Sequence, residues 1–243
     1  MTARLLIEYD GSDFAGWARQ PGLRSVQETL EDALAKVLRR PAQLTVAGRT
    51  DRGVHARGQV ASHAGEPAPA RSLNGVLPPD IRVLESGPAP DGFDARRDAR
   101  SRTYRYRIYT RSTLSPFERG RAWHWPHAID RNALDVLAAM IAGTHDFTAF
   151  TPTETDHVRF ERDVLRAEWL NAGDHVLEFW IEADTFMRHM VRTLVGTMVG
   201  ARHTPDQFRA LLEGRPREEA GETAAAHGLY LESVTYDSCL SKR

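Results

Sequence analysis

Residues 47–60 read Ala47-Gly48-Arg49-Thr50-Asp51-Arg52-Gly53-Val54-His55-Ala56-Arg57-Gly58-Gln59-Val60. Short apolar runs near 43–48 and 59–63 read as strands on either side, so the charged, glycine-rich centre is expected to be the loop that joins them. Gly48, Gly53 and Gly58 fall within 11 residues, and glycine permits sharp turns and close backbone approach. Asp51 stands among Arg49, Arg52 and Arg57, cations that favour the ionised carboxylate. A positioned carboxylate suits a nucleophile or a base. The plainer alternative is a turn residue that caps a helix or pairs with Arg49. His55 has two readings as well: it orients a substrate, or it is satisfied inside the loop.

On the N-terminal side of this stretch, residues 4–9 have strand character and end at the turn residues Asp10-Gly11-Ser12. Ser25 and Glu28 form a capping box for a helix with Val26, Leu30, Leu34, Val37 and Leu38 at helical spacing. On the C-terminal side, strands are expected at 81–86 and 104–110. The second alternates Tyr104, Tyr106 and Ile108 on one face with Arg105, Arg107 and Tyr109 on the other. An aromatic and arginine surface is a platform for nucleic acid; a half-exposed strand packed through its tyrosines has the same pattern. After an irregular stretch at 113–129 come a helix from Asn132 to Ala142, closed by Gly143, and strands at 164–170 and 175–182 joined by Asn171-Ala172-Gly173-Asp174. A helix at 186–201, another opened by Thr204-Pro205-Asp206-Gln207 and a last strand from Leu229 to Tyr236 complete the chain. Interspersed strands and helices predict an α+β protein of two similar lobes, 1–105 with the Asp51 loop and 106–243 with the helix that carries Arg192.

In that helix Phe186, Met190, Leu194 and Met198 make an apolar face, and Arg188 and Arg192, four apart, flank it. Such an arginine either snorkels to solvent or turns into a pocket to meet an anion. The chain has 243 residues, 32 basic against 33 acidic, and the balance of −1 selects no partner. Nine arginines between Arg96 and Arg121 face only Asp98 and Glu118, so a strongly positive face is expected there. Cys239 alone leaves no disulfide framework or cysteine zinc cluster, which favours a cytoplasmic setting, and no apolar run reaches 18 residues. His124 and His127 lack a third ligand nearby, and GxGxxG and GxxxxGK[ST] loops are absent, so neither a metal nor a nucleotide cofactor is expected.

Tyr9-Asp10-Gly11 with Gly16-Trp17, Arg24-Ser25-Val26-Gln27, Ala47-Gly48-Arg49-Thr50-Asp51 with Gly53-Val54-His55-Ala56, and Phe186 through Arg192 resemble the tRNA pseudouridine synthase A family. Asn74 with Leu77-Pro78, Phe93-Asp94-Ala95-Arg96, Arg102-Thr103-Tyr104-Arg105-Tyr106, His145-Asp146-Phe147 and Gly228-Leu229-Tyr230 extend the match over nearly the whole chain. Ala18, where the family often has glutamine, and Met187, where leucine is usual, depart from it.

The resemblance implies a pseudouridine synthase fold, with a mixed, mostly antiparallel sheet flanked by helices. It implies isomerisation of uridine to pseudouridine at positions 38 to 40 of the tRNA anticodon arm, by a homodimer without cofactor. It assigns Asp51 as the catalytic aspartate, Tyr104 as an active-site tyrosine, Arg192 as a basic partner, Leu229 as an apolar wall and Arg49 as the residue that helps displace the base. His55, Arg102 and Arg105 are further candidates for substrate binding. Extruding a stem uridine costs a few kcal/mol, and stacking on Tyr104, worth roughly 1 to 3 kcal/mol per base, would offset much of that. Arginines of 96–121 would hold phosphates, with binding that weakens as salt is added. A non-catalytic RNA-binding protein that uses the same tyrosine and arginine strand is the alternative. A metal-dependent nuclease would need ligands that the scattered histidines do not supply.

Overall fold

A computed structural model describes residues 1–155 and 157–237; Cys239 lies outside the described residues. In chain order the elements are β1 (Thr2–Tyr9), α1 (Val26–Leu38), β2 (Thr45–Val46), β3 (His55–Ala64), α2 (Ala70–Val76), β4 (Ile81–Ala89) and β5 (Ala99–Tyr109). Then follow β6 (Trp123–His124), α3 (Arg131–Ala139), β7 (Gly143–Asp146), β8 (Glu161–Asn171), β9 (Val176–Ala183), α4 (Met190–Val199), α5 (Pro205–Leu211) and β10 (Leu229–Tyr236). The chain forms two compact units: Met1–Arg102 together with the last strand from Tyr230, and Thr103–Leu229. The division therefore falls at Arg102 rather than Arg105. The last strand joins the first unit because Tyr230 and Leu231 pair in parallel with His55 and Ala56.

In the first unit the strand order is β4-β1-β3-β10, with β2 added to β3. β1 alternates strictly between half-buried and buried residues, which puts Ala3, Leu5, Ile7 and Tyr9 inside. It pairs antiparallel with both β3 and β4. α1 begins where the Ser25 side chain accepts the Glu28 N–H, and it buries Val26, Leu30, Ala33 and Leu34. β3 starts at His55, four residues before the expected 59. The end of the stretch quoted first is thus strand, and residues 47–54 are the loop.

In the second unit the order is β5-β9-β8-β7, with β6 parallel beside β5. β8 and β9 form the expected antiparallel hairpin, turned through Gly173 at φ +120°. β7, which the sequence pattern does not announce, pairs antiparallel with β8. Every residue of α4 except Arg192 is buried, including Thr193 and Thr197, and the Thr197 hydroxyl donates to the Thr193 carbonyl. α4 starts at Met190, after His189 with φ +64°. Phe186 and Arg188 therefore precede the helix, and the expected flank shared by Arg188 and Arg192 does not form. α5 carries the predicted capping box, with Thr204 and Gln207 bonded reciprocally. The architecture is α+β with a mixed, mostly antiparallel sheet. No helix among the described residues is long and apolar enough to cross a membrane.

Candidate active site

Asp51 is half-buried at the start of a tight turn in which the Val54 N–H donates to the Asp51 carbonyl, with Gly53 at φ +78°. The residue before it is fixed at two points. The Thr50 carbonyl accepts the Trp17 N–H at 2.9 Å, and the Thr50 hydroxyl meets the Tyr9 hydroxyl at 2.7 Å. Gln59, fully buried on β3, donates to the Gly48 carbonyl at 2.7 Å and, at a longer 3.4 Å, to the Tyr9 hydroxyl. Burial pushes the Tyr9 hydroxyl up to about 12. Gly16, with φ +109°, lies under the turn: a Cβ there would stand 3.0 Å from the Thr50 carbonyl oxygen. A Cβ on Gly11 would stand 2.0 Å from the Val54 carbonyl oxygen. The loop that presents Asp51 therefore rests on backbone at van der Waals distance and on a buried polar group on either side.

His55 is buried at the first position of β3. Its Nδ1 accepts the Gly11 N–H at 3.0 Å, with an Asp10 carboxylate oxygen 3.2 Å from the same nitrogen, and its ring stacks on Tyr230 with centroids 4.6 Å apart. Arg49 is exposed and has no hydrogen bond or ion pair among the described residues. Both positions were picked out by the sequence, but they differ in kind. His55 is tied into the fold beneath the loop, and Arg49 reaches into solvent beside it.

The arginine-rich segment does not present the single positive face expected of it. Arg102 is buried and donates to the carbonyls of Ala47, Ala99 and Arg96. Arg97 pairs with Asp98, and Arg100 with Asp237. Arg105 meets Glu178 at 2.6 Å, and Arg107 meets Glu118 at 2.8 Å and Glu178 at 3.3 Å. Counting charges along the sequence missed acids that strand pairing brings in from elsewhere, since Glu178 lies on β9. The strand Tyr104–Tyr109 is correspondingly no open platform: Tyr104, Tyr106, Ile108 and Tyr109 are all buried.

Tyr104 stands on β5 with its ring edge-on to Phe186 at 5.0 Å. Arg192 occupies the first turn of α4. Its Nε donates to the Ala224 carbonyl at 2.8 Å, while the Ala224 N–H donates back to the Arg192 carbonyl at 3.1 Å. The segment that carries Ala224 passes very close to α4, because a Cβ on Gly196 would stand 2.0 Å from the Glu222 carbonyl oxygen. The same segment is pinned again where the Tyr106 hydroxyl donates to the Ala225 carbonyl at 2.7 Å. Burial raises the Tyr106 hydroxyl well above its usual value, and the Arg192 cation opposes that shift. His227, half-buried, is held below the usual histidine value by burial and by the same cation, against a hydrogen bond with the Ala122 backbone. Leu229 is buried and follows Gly228, whose α-carbon lies so close to the Tyr106 ring that a Cβ would stand 2.7 Å from it.

Sequence reasoning missed Gln59, the Tyr9 hydroxyl and the backbone of Ala224. The first two had a signal. Tyr9 and Gly11 open the family motif, and Gln59 is an uncharged polar residue within the short strand expected at 59–63. Ala224 acts through its main chain and has no signal. Among the described residues, no group of three or more His, Cys, Asp or Glu side chains is placed to hold a metal ion.

A family model described as tRNA pseudouridine synthase matches residues 137–237. A tRNA pseudouridine synthase A of Bacillus pumilus is 38% identical over 98% of this chain and all of its own length. That of Frankia casuarinae is 45% identical over 96% of this chain and 88% of its own length, and that of Bacillus subtilis 39% identical over 98% and 100%. With 38–45% identity to these relatives over 96–98% of its residues, the chain belongs to the tRNA pseudouridine synthase A family.

Proposed function

We propose that this chain isomerises uridine to pseudouridine at positions 38 to 40 of the tRNA anticodon arm, with Asp51 as the nucleophile. In the net reaction the bond from uracil N1 to ribose C1′ breaks, the bond from C5 to C1′ forms, the C5 hydrogen leaves as a proton and N1 gains one. No electrons are exchanged with a second reactant. One carboxylate held in a fixed position meets this need, whereas glycoside hydrolysis typically uses a pair. The observation that carries the proposal is the placement of Asp51, half-buried on a turn whose preceding residue is fixed through both its carbonyl and its side chain.

Family membership supports carrying over Tyr104, Arg192 and Leu229 as residues of the catalytic machinery and Arg49 as the residue that helps displace the base. The exposure of Arg49 suits contact with RNA. His55, Arg102 and Arg105 take a different part from that first expected. Each is bonded within its own unit, to the Gly11 N–H, to backbone carbonyls and to Glu178 respectively, and we assign them to holding the fold rather than to touching substrate. Homodimer formation and a cytoplasmic location belong to the proposal and rest on the resemblance and on the single cysteine. The first is checked by sedimentation.

The test follows release of the C5 hydrogen from labelled uridine in tRNA. Asp51→Asn and Asp51→Ala are expected to bind tRNA and to release nothing above background, and mapping the pseudouridine formed by the unaltered protein checks positions 38 to 40. Turnover that survives either substitution overturns the role of Asp51. Binding without release by the unaltered protein would instead identify an RNA-binding module.

A further inference from the structure

We infer that Tyr9, Thr50 and Gln59 form a buried tether that positions Asp51 for reaction, a role that rests on Asp51 being the nucleophile. Each side chain comes from a different place in the first unit: Tyr9 from the end of β1, Gln59 from β3 and Thr50 from the loop itself. They are buried to 4%, 0% and 7% exposure respectively. The hydroxyl–hydroxyl contact of Tyr9 and Thr50 is 2.7 Å, and Gln59 joins it to the Gly48 carbonyl three residues before Asp51. The Gln59 side-chain oxygen is held in turn by the Val60 N–H at 3.2 Å, which fixes the amide so that its nitrogen faces the loop.

The tether acts on the main chain of Gly48 and on the side chain of Thr50, next to the carboxylate and not on it. None of its three members is a catalytic residue. They are positioning residues. Their chemistry suits that task, because hydrogen bonds between buried groups are directional and have no water to replace them. The Trp17 N–H fixes the Thr50 carbonyl from the other side, so loss of the Tyr9 hydroxyl frees one side of the loop while leaving it attached. A displacement of 1 Å is enough to lower an enzymatic rate by up to about a hundredfold.

The experiment compares Tyr9→Phe, Thr50→Val, Thr50→Ser and Asp51→Asn in single-turnover and steady-state assays of C5 hydrogen release, with thermal unfolding measured on each. Tyr9→Phe and Thr50→Val, which lose a hydroxyl and keep the shape, are expected to lower kcat about tenfold or more with KM within about twofold of the unaltered value. Thr50→Ser keeps the hydroxyl and loses the methyl, so it is expected to keep kcat. The double variant Tyr9→Phe with Thr50→Val is expected to be no slower than the slower single variant, because both remove the same contact. A merely structural contact gives another pattern, in which kcat follows thermal stability across the three variants, and that result overturns the proposal. Unchanged kcat in Tyr9→Phe overturns it as well. Full activity in Asp51→Asn would sink the nucleophile assignment instead, a failure distinguishable because Tyr9→Phe and Asp51→Asn are read in one assay.

Discussion

In an Arg105→Gln variant, Glu178 loses its nearest cation. The carboxylate is almost wholly enclosed, at 9% side-chain exposure, and Arg105 at 13% is little more open. Removing one member of a buried ion pair costs roughly 3–5 kcal/mol, because the other charge stays behind in a poor solvent for it. Here Glu178 retains Arg107 at 3.3 Å and the Trp180 Nε1–H at 3.1 Å, so the loss should fall to about 2–3 kcal/mol. For proteins of this size each kcal/mol moves Tm by about 2–4 °C, which places the expected drop at about 4–12 °C. Binding to tRNA should keep its salt dependence, since a guanidinium engaged with Glu178 contacts no phosphate. Arg49→Gln is the opposite case. Exposed and without a partner among the described residues, it should leave stability within about 0.5 kcal/mol and lower the slope of log affinity against log salt by about 0.7–0.9. Thermal unfolding and filter binding from low to moderate salt read both quantities. An Arg105→Gln protein of unchanged Tm with a reduced salt slope would refute the assignment of Arg105 to the fold.

Gly196→Ala would push a methyl group to 2.0 Å from the Glu222 carbonyl oxygen, so it should destabilise by about 1–3 kcal/mol and, by shifting Ala224 under Arg192, lower kcat more than it raises KM. Gly75→Ala in α2 has nothing within 4 Å of the added carbon and should stabilise by about 0.4–1 kcal/mol with activity unchanged, as urea unfolding will show. His63 is buried, and its affinity for a proton is lowered first by that burial and also by the Arg40 cation, against a hydrogen bond to the Ala64 carbonyl; His227 is lowered likewise. The unfolded chain then binds protons that the folded chain refuses, so stability is complete above the unfolded value near 6.5 and declines as pH falls through it. Tm measured between pH 7.5 and 5 should fall, and His63→Leu should flatten part of that slope.

What the sequence made legible follows from the range of the interactions. Caps are local, and the Ser25 and Thr204 caps stand where the side chains announced them. The β8–β9 hairpin and the exact span of β10 were also readable, because a run of strand-forming residues bounded by turn residues is a local pattern. The start of α4 was not, since the backbone of His189 turns left-handed and the apolar spacing of Phe186 and Met190 continues across the break. The arginine segment misled for a different reason. Net charge along a sequence ignores what strand pairing brings alongside, and Glu178 is 73 residues from Arg105. At the site, Asp51 and Arg49 were visible as residue types in a motif. The support of Asp51 and of Arg192 was not, because the Trp17 N–H, the Gly48 carbonyl and the Ala224 carbonyl are main-chain groups that every sequence contains.

The two groups that matter most to the proposed chemistry, the Asp51 carboxylate and the Arg192 guanidinium, are each placed by backbone packed against backbone. Gly11 and Gly16 lie beneath the turn of Asp51, and Gly196 lies beneath the segment whose Ala224 carbonyl receives Arg192. A side chain between two main-chain segments would set their spacing through rotatable bonds, whereas direct contact sets it through peptide planes, which barely deform. A reaction that frees a base and must recapture it on another atom gains from such stiffness, because charged groups already in place need no reorganisation when the bond breaks. The same stiffness explains why the hydroxyl of Tyr9 can matter: once carbonyls and glycines hold most of the loop, the Tyr9–Thr50 contact fixes the residue next to Asp51, and a small release there reaches the carboxylate through the adjoining backbone.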